Sequence, residues 1–351
     1  MKVLMVIKRL DYSGAFKMFM WVAKALAKRG IDVTVFTYMS SFVSDLPSNI
    51  TWIQEDLEKK GFLSQLKTVR RIVKKVKPDI SISFLLDANI LNIFACLGLH
   101  TKSIVCERND PFKPRYYKLK VLKPFFRFAN GAVYQLPKVA EYYNNIKVPT
   151  AIIPNPVLCQ NNIVVKPFVE RDNIIVTLGR IDIFQKRHDL LVEAFAIFFK
   201  KHPEYKLVIY GIGPDEEKIR NLIERLGLSE AVILGGVVSN SLKIISNAKI
   251  FALSSDFEGI PNALIEAMSI GLPCISTDCR PGGAALLIQN NINGILIPSN
   301  NVKIMADKMI YLADNSEVAD SLGNAAKKIA GQFTEDCIAT MWIEYIKKLA
   351  G

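Results

Sequence analysis

The chain has 351 residues, of which 50% are apolar and 22% are charged, and its formal net charge is +12. This length predicts two domains, and this composition excludes a disordered or fibrous protein. The apolar run at residues 3–7 is too short for a signal peptide, and no apolar stretch reaches the length of a membrane span, so we expect a cytosolic protein. The six cysteines form no C-x-x-C pair and are expected to be reduced core residues.

The positive charge is concentrated in the first half of the chain. Residues 1–165 contain 25 Lys and Arg against 11 Asp and Glu, a net charge of +14, whereas residues 166–351 contain 20 against 22, or −2. Such an asymmetry predicts that the first half faces an anionic partner. A basic helix predicted at residues 59–77 contributes to this charge, although one cationic face on a packed helix is also an ordinary solvated surface.

Strand and helix patterns alternate from the first residues onwards. Residues 3–7 and 32–37 are apolar runs typical of buried strands, and residues 15–28 between them have the periodicity of a helix. This order predicts a parallel sheet with right-handed crossovers. No G-x-G-x-x-G follows the first strand, so a dinucleotide fingerprint is absent, and Gly14 is either a close-approach position for a ligand or a turn residue.

Residues 113–128 interleave Lys and Arg with aromatic and leucine side chains. This composition favours contact with an anionic membrane surface. Two other interpretations stay open, namely a packed helix with solvated lysines and, less favoured, a nucleic-acid surface. Because Pro124 interrupts the segment, we expect two short helices rather than one.

A second strand–helix alternation begins near residue 170, after a predicted domain boundary. The strand predicted at 174–178 ends in Gly179 and Arg180, and Lys186 precedes a helix predicted at 188–201. Two fixed cations at a strand end suit a leaving group that gains negative charge as its bond breaks. The alternative is a pair of exposed surface cations.

Residues 254–278 carry the strongest chemical pattern of the chain. They place Glu258 in a loop, Asn262 at the N-cap of a helix predicted from residue 263, and Glu266 eight residues after Glu258. Both carboxylates can face one cleft, beside the amides of a helix N-terminus, which bind anions. A ligand with hydroxyls and phosphates, such as a nucleotide sugar, fits this combination.

This segment and its flanks resemble the E-x7-E motif of the retaining glycosyltransferases of family 4, which have the GT-B fold. The resemblance covers nearly the whole chain. It implies an α/β protein with two Rossmann-like parallel-sheet domains that face a central cleft. The first, at 1–163, would bind the acceptor, the second, at 164–334, would bind the donor nucleotide, and a C-terminal helix at 335–351 would cross back to the first.

The resemblance also implies roles for individual residues. Glu266 would hold the ribose hydroxyls, and Glu258 would orient the donor sugar. Arg180 and Lys186 would hold the diphosphate and serve catalysis with Glu258. Other implied donor-binding positions are Gly14, Val237, Gly259, Ile260, Pro261, Asn262, Ala263 and Leu264. Many members have a histidine that contacts the sugar; here the equivalent loop offers Glu107, Arg108, Asn109 and Asp110.

Residues 81–111 resemble the members that build bacterial surface polysaccharides, such as capsule or O-antigen, and glycans on lipid carriers. The implied reaction moves a hexose or N-acetylhexosamine from a nucleoside-diphosphate sugar, with UDP favoured, to a polyprenyl-diphosphate-linked saccharide. The enzyme would attach peripherally to the inner face of the membrane and bind no nucleic acid. Because no D-x-D sequence occurs, neither a metal nor another cofactor is expected. The alternatives are a nucleotide-sugar-binding partner subunit without turnover, and a UDP-sugar epimerase on the same scaffold.

Overall fold

The computed structural model describes residues 1–10, 14–41, 46–108, 110–112, 117–157, 163, 165–238 and 240–351. The chain divides into two compact units, unit 1 (Met1–Asn155 with Glu335–Gly351) and unit 2 (Pro156–Thr334). Each unit is built on a parallel sheet, which confirms the predicted α/β class with two Rossmann-like domains. The predicted boundary between residues 163 and 164 borders residues outside the described part of the chain.

Unit 1 contains a seven-stranded parallel sheet in the order β3-β2-β1-β4-β5-β6-β7. The strands are β1 (Lys2–Ile7), β2 (Asp32–Thr37), β3 (Ile50–Gln54), β4 (Ile80–Phe84), β5 (Lys102–Glu107), β6 (Gly131–Tyr134) and β7 (Thr150–Ile152). The helices between them are α1 (Gly14–Lys28), α2 (Phe62–Val76), α3 (Leu86–Cys96), α4 (Tyr117–Leu122) and α5 (Pro137–Tyr142). The central strands are buried almost throughout, because helices cover both faces of a parallel sheet.

Unit 2 contains a six-stranded parallel sheet in the order β10-β9-β8-β11-β12-β13. The strands are β8 (Asp172–Leu178), β9 (Lys206–Tyr210), β10 (Val232–Gly236), β11 (Ala248–Leu253), β12 (Cys274–Thr277) and β13 (Ile295–Ile297). The helices are α6 (His188–Phe199), α7 (Glu216–Arg225), α8 (Ser241–Ile245), α9 (Asn262–Ser269), α10 (Gly283–Leu287), α11 (Val302–Asp314) and α12 (Ser316–Ala330).

The last helix, α13 (Glu335–Ala350), completes unit 1. Its Trp342 is buried and stacks on Phe84 at the end of β4, with 6.2 Å between the ring centroids. The Tyr345 hydroxyl donates to the Pro149 carbonyl at 2.8 Å, and Trp21 Nε1 in α1 donates to Glu335 Oε2 at 2.6 Å. These contacts join both ends of α13 to the first part of the chain.

The two basic segments of unit 1 adopt different structures. The helix predicted at 59–77 is α2, in which the buried residues Val69, Ile72 and Val73 face the core. In the segment 113–128, residues 113–116 lie outside the described residues, and the remainder forms α4 and a short 3-10 helix, Lys123–Phe128. Part of this remainder packs inwards, while Tyr117 and Val121 are 67% and 68% exposed. In the described part of the chain, no helix is both long and apolar enough to span a membrane.

Candidate functional site

The strand order of unit 2 places several candidate residues at one edge of its sheet. The order reverses between β8 and β11, and ligands of open α/β sheets bind at the carboxyl ends of strands where such a reversal opens a crevice. Arg180 and Lys186 follow β8, Glu258 follows β11, and Val237 follows β10. Residues separated by up to 78 positions in the sequence therefore share this edge.

Lys186 and Glu258 form an ion pair at the reversal point. Lys186 Nζ donates to Glu258 Oε1, and Ser255 Oγ donates to the same oxygen at 2.9 Å. The two charged side chains are only 17% and 9% exposed, so solvent screens their attraction much less than it screens a surface pair. Neither contact uses Glu258 Oε2. The pair therefore combines a fixed ammonium group with a carboxylate oxygen, Glu258 Oε2, that bonds to neither Lys186 nor Ser255.

The loops that carry this pair are joined to each other by hydrogen bonds. Asp256 N donates to the Gln185 carbonyl at 2.9 Å, and Ser254 Oγ donates to the Lys186 carbonyl at 2.8 Å. On the far side of the loop, Glu258 N donates to the Arg280 carbonyl at 2.8 Å. These contacts, one from the Ser254 hydroxyl and two between backbone groups, fix the loops that carry Lys186 and Glu258 without relying on the ion pair.

Arg187, directly after Lys186, adopts a left-handed backbone conformation with φ 51°. A residue with a side chain adopts this conformation at a cost of about 1–2 kcal/mol. Its guanidinium group contacts Asp189 at 3.1 Å and Asp256 at 3.1 Å, and it donates to Asn300. These contacts offset the cost and bind the start of α6 to the loop after β11.

His188 is buried at the start of α6 and is 2% exposed. Among the described residues, its Nδ1 atom has no hydrogen-bond partner. Burial, with a smaller contribution from the Lys186 charge, lowers the pKa of His188 to about 3. The imidazole is therefore neutral near pH 7 and is not suited to carry a proton there.

Glycines allow the loops after β8 and β9 to approach each other closely. A Cβ atom on Gly211, whose φ is +134°, would lie 1.9 Å from the Gly179 carbonyl oxygen. A Cβ atom on Gly213 would lie 2.0 Å from the Ile181 carbonyl oxygen. No side chain fits at either position, so the backbone beside Arg180 depends on both glycines.

The predicted helix after Glu258 is α9, but its N-cap is Pro261, and Asn262 is its first residue, so the prediction of an Asn262 cap is wrong. Pro261 supplies the extended φ and ψ that the cap position requires, and it accepts the first intrahelical bond from Leu264 N at 3.1 Å. The amides of Asn262 and Ala263 come before Leu264 N, the first amide of α9 that makes an intrahelical bond. Glu266 is the fifth residue of α9 and is 6% exposed.

The remaining candidates of unit 2 lie at the same edge without joining the ion pair. Arg180 is exposed, and it is one of the weaker contributors to the lowered pKa of Asp215, after Lys218 and the Ile183 amide. Val237 is 73% exposed at the end of β10. Gly259 packs so tightly that a Cβ atom on Gly283 would lie 1.6 Å from its carbonyl oxygen.

The candidates of unit 1 follow β1 and β5. Gly14 is exposed and begins α1, while Asn109, like Ser13 beside Gly14, lies outside the described residues. Glu107 and Asp110 are 1% and 4% exposed, and their side chains accept hydrogen bonds from the Arg108 and Phe112 amides at 3.0 and 2.8 Å.

Arg108 is occupied by contacts within unit 1. Its guanidinium carbon lies 4.8 Å from the centroid of the Phe84 ring and 5.8 Å from that of Trp342, and its NH1 donates to Asn155 Oδ1 at 3.2 Å. Cation–π contacts of this kind fix a guanidinium group between aromatic rings. Any contact of Arg108 with a ligand would therefore start from a side chain already held in place.

Three residues that position the ion pair were not among the predicted site residues. These are Ser255, Asp256 and Arg187. Arg187 and Asp256 contact each other across loops 69 residues apart, whereas Ser255 contacts Glu258 only three residues away. The only signal of all three in the sequence is adjacency to Glu258 and Lys186. In the described ranges, no group of three or more His, Cys, Asp and Glu residues could hold a metal ion.

Comparison with known proteins identifies relatives of this chain that are named glycosyltransferases. Residues 160–329 match the family model described as glycosyl transferases group 1. An uncharacterised glycosyltransferase of Methanocaldococcus jannaschii is 30% identical over 251 residues, which are 64% of this chain and 62% of that protein. The chain therefore spans about three fifths of that relative's length.

A second relative matches over the full length. It is the Campylobacter jejuni protein named GalNAc-α-(1→4)-GalNAc-α-(1→3)-diNAcBac-PP-undecaprenol α-1,4-N-acetyl-D-galactosaminyltransferase, 27% identical over 362 residues, with 99% of each chain covered. Among solved structures, the Anabaena protein HepE in complex with UDP and glucose has a TM-score of 0.81 at 18% identity and covers 99% of this chain and 100% of its own. The chain is thus a homologue of glycosyltransferases, its residues 160–329 match the glycosyl transferases group 1, and both its units have the sheets of the GT-B fold.

Proposed function

We propose that the protein is a retaining glycosyltransferase of family 4. It moves a hexose or N-acetylhexosamine from a nucleoside-diphosphate sugar, with UDP as the nucleotide, to a saccharide on a polyprenyl diphosphate. The observation that carries the proposal is the Lys186–Glu258 ion pair at the strand reversal of unit 2, beside the N-terminus of α9. The full-length relative named for an undecaprenol-linked acceptor, and the UDP bound by HepE, support the two substrates.

In this proposal the diphosphate lies between Lys186, Arg180 and the first amides of α9. An ammonium group has three donors, so Lys186 can keep its bond to Glu258 and still donate to phosphate oxygens. The amides and the dipole at the start of α9 add positive potential at the same edge of the sheet. Together these groups stabilise the charge that develops on the leaving diphosphate, without a metal ion or another cofactor.

The two glutamates then act on hydroxyl groups. Glu258 Oε2 accepts from the donor sugar and orients it, and Glu266 accepts from the ribose. The bond from the anomeric carbon to the diphosphate breaks while the acceptor oxygen bonds to the same face of that carbon. The proton of the acceptor hydroxyl passes to a diphosphate oxygen, so no carboxylate nucleophile is needed.

The test is transfer by the purified protein from a panel of UDP-, GDP- and ADP-sugars to polyprenyl-diphosphate-linked saccharides, with and without EDTA. We expect one UDP-sugar to react, with retained anomeric configuration by NMR and an unchanged rate in EDTA. Glu258→Gln should lower the rate about 100-fold or more, because the neutral amide accepts more weakly than the carboxylate and no longer forms the ion pair with Lys186.

Glu230→Gln is the matched control, since Glu230 is exposed just before β10, at the opposite edge of the sheet, and its rate should stay within twofold. Binding of a nucleotide sugar without turnover would instead identify a partner subunit. Conversion of free UDP-sugar without an acceptor would identify an epimerase. Inversion of configuration would contradict the retaining mechanism.

A further inference from the structure

Phe184 is an exposed aromatic residue close to the ion pair of unit 2, and no step of the proposed mechanism uses it. Between Ile181 and His188 it is the only exposed residue, with 56% of its surface accessible. The charged and polar residues of the same stretch are all at least partly buried. This arrangement reverses the usual one, in which polar side chains are exposed and aromatic ones are withdrawn from solvent.

The turn that carries Phe184 is fixed by its backbone. Lys186 N donates to the Asp182 carbonyl at 2.7 Å and closes the turn. Ile183 N donates to Asp215 Oδ2 at 2.9 Å, which joins the turn to the residue before α7. The position of Phe184 in the chain is therefore set by its neighbours, and its own side chain is not needed to hold the turn.

The Phe184 ring is oriented by a second ring. Phe184 and Phe257 pack edge to face, with 5.5 Å between the ring centroids and 67° between the ring planes. Phe257 is only 6% exposed and directly precedes Glu258, and its carbonyl accepts from Gln185 Nε2 at 3.3 Å. An edge-to-face contact orients a ring without covering all of it. Phe184 thus presents a pre-oriented apolar surface two residues from Lys186.

The strand order places this surface at the reversal point of the sheet. Phe184 follows β8 and contacts the loop after β11, the adjacent strand on one side. Val237, another exposed apolar residue at this edge, follows β10, which lies two strands from β8 on the other side. Phe184 is therefore grouped with Lys186 and Glu258 and not with the outer strands of unit 2.

The other groups at the reversal point suit only part of a saccharide. Carboxylates and cations bind hydroxyl and phosphate groups, but a pyranose ring also has faces made of C–H groups. An aromatic side chain provides rigid apolar contact area for such a face at a low cost in conformational entropy. Ile212 and Val237, which are also exposed at this edge, are aliphatic and offer no flat surface.

We propose that Phe184 is the platform on which a pyranose ring of the acceptor saccharide packs. The assignment to the acceptor rests on the proposed function, in which the acceptor oxygen bonds to the face of the anomeric carbon that the diphosphate leaves. The acceptor ring must then lie beside the cations that hold the diphosphate, and Phe184 is two residues from Lys186. The donor sugar is instead oriented through a hydroxyl group by Glu258.

The first test measures KM and kcat of Phe184→Leu separately in the transfer assay. Leucine keeps an apolar side chain at the turn but has no ring, so KM for the acceptor should rise about 5–10-fold. The kcat, the KM for the donor and the Kd for UDP should each stay within twofold of the wild-type values. Phe184→Tyr keeps the ring and should restore the wild-type KM for the acceptor.

Tyr311→Leu is the matched control, because it removes another exposed aromatic ring of unit 2, in α11. None of these constants should change more than twofold in this variant. An equal rise in the KM for the acceptor in Tyr311→Leu would overturn the assignment. An unchanged KM for the acceptor in Phe184→Leu, or a rise in the KM for the donor instead, would overturn it as well.

The second test does not depend on turnover. Methyl N-acetyl-α-galactosaminide and methyl N-acetyl-α-glucosaminide are titrated with the full-length protein, with and without UDP, and followed by NMR. Protons above an aromatic ring move upfield, so we expect upfield shifts of the C–H protons on one face of a glycoside. These shifts should persist with Phe184→Tyr and disappear with Phe184→Leu. Sorbitol, which has hydroxyl groups but no ring, should show none.

The two tests separate this inference from the proposed function. If a UDP-sugar reacts but Phe184→Leu changes neither the KM for the acceptor nor the glycoside shifts, the platform assignment fails and the glycosyltransferase stands. If the glycosides show the expected shifts but no nucleotide sugar reacts, the proposed function fails and the saccharide contact at Phe184 stands.

Discussion

At the scale of single residues, the ion pair between Lys186 and Glu258 is the central feature of unit 2. The sequence predicted both residues as site residues, because each follows a strand pattern and carries a charge. It could not predict that they contact each other, since they are 72 residues apart and their meeting depends on the order of β8 and β11. The supporting role of Arg187, which contacts Asp256, depends on the same tertiary arrangement.

The Lys186–Glu258 ion pair predicts how single and double variants of these two residues differ in stability. Lys186→Met leaves a mostly buried carboxylate without its cation, and we expect the free energy of unfolding to fall by about 3 kcal/mol. The double variant Lys186→Met/Glu258→Gln should regain most of that loss, because no buried charge remains unpaired. Urea denaturation measures both, and a double variant less stable than Lys186→Met would contradict the argument.

The left-handed backbone at Arg187 predicts that glycine at position 187 is less destabilising than alanine. Both substitutions remove the contacts with Asp189 and Asp256, but only alanine keeps the cost of the left-handed backbone. Arg187→Gly should therefore be about 1 kcal/mol more stable than Arg187→Ala. Thermal unfolding of the two proteins provides the comparison. The reverse order would mean that the left-handed conformation is not kept in solution.

His188 predicts a pH dependence of stability. Its pKa is about 3 in the folded protein, against an ordinary value of 6.5, so between these values the unfolded chain binds a proton that the folded chain does not. The contribution of His188 to stability is complete above pH 6.5 and is lost as the pH falls towards 3, by at most about 1.4 kcal/mol per pH unit.

We expect His188→Gln to show a shallower loss of stability than the wild-type protein over this range. His100, an exposed histidine of unit 1, offers the matched substitution, and His100→Gln should leave the slope unchanged. Parallel curves of unfolding free energy against pH for wild type and His188→Gln would show that the imidazole is not buried.

At the scale of secondary-structure elements, the sequence predicted best those segments that have a clear hydrophobic periodicity or a clear terminating residue. It did not predict β3 or α3. In β3, Ile50–Gln54, only the first residue is fully buried, because an edge strand has one neighbour and needs no apolar run. In α3, nine of eleven residues are buried, so the helix lacks the polar face from which a helical period is recognised.

The glycine contacts of unit 2 predict a local defect. Gly211→Ala places a Cβ atom against the Gly179 carbonyl, and we expect a loss of stability about 1–3 kcal/mol beyond that of Gly227→Ala. Gly227 also has a positive φ, +68°, but no atom lies within 4 Å of its added Cβ, so Gly227→Ala reports the cost of a positive φ without a clash. Chemical denaturation and UDP titration of both variants should show weaker nucleotide binding for Gly211→Ala alone.

At the scale of the whole molecule, the repeated strand–helix alternation was sufficient to predict two parallel-sheet units. The strand order in each sheet was not predicted from residues alone, since local patterns do not say on which side of the first strand the next one adds. The ring contact of Phe184 with Phe257 was also not predicted, because the strand order decides that their loops meet.

The two units predict separable unfolding transitions. UDP should raise the transition of unit 2 alone, since ligands stabilise the structure that binds them. Trp342→Ala removes a buried ring from the core of unit 1. It should therefore lower the free energy of unfolding of unit 1 by about 3–5 kcal/mol and change the affinity for UDP less than twofold. Trp52→Ala, in the half-buried edge strand β3, should lower the free energy of unfolding of unit 1 by less than Trp342→Ala does. Calorimetry measures both variants, and equal effects would contradict the prediction.

Because α13 belongs to unit 1, this unit is discontinuous in the chain, and the order of synthesis does not match the order of assembly. A ribosome that has made β1 to β7 must still translate all 179 residues of unit 2 before Trp342 emerges. Until then the Phe84 ring lacks the indole that covers it, and the nascent sheet exposes an apolar surface. Unit 2, whose residues are contiguous, is therefore the first part of the protein able to finish folding during translation.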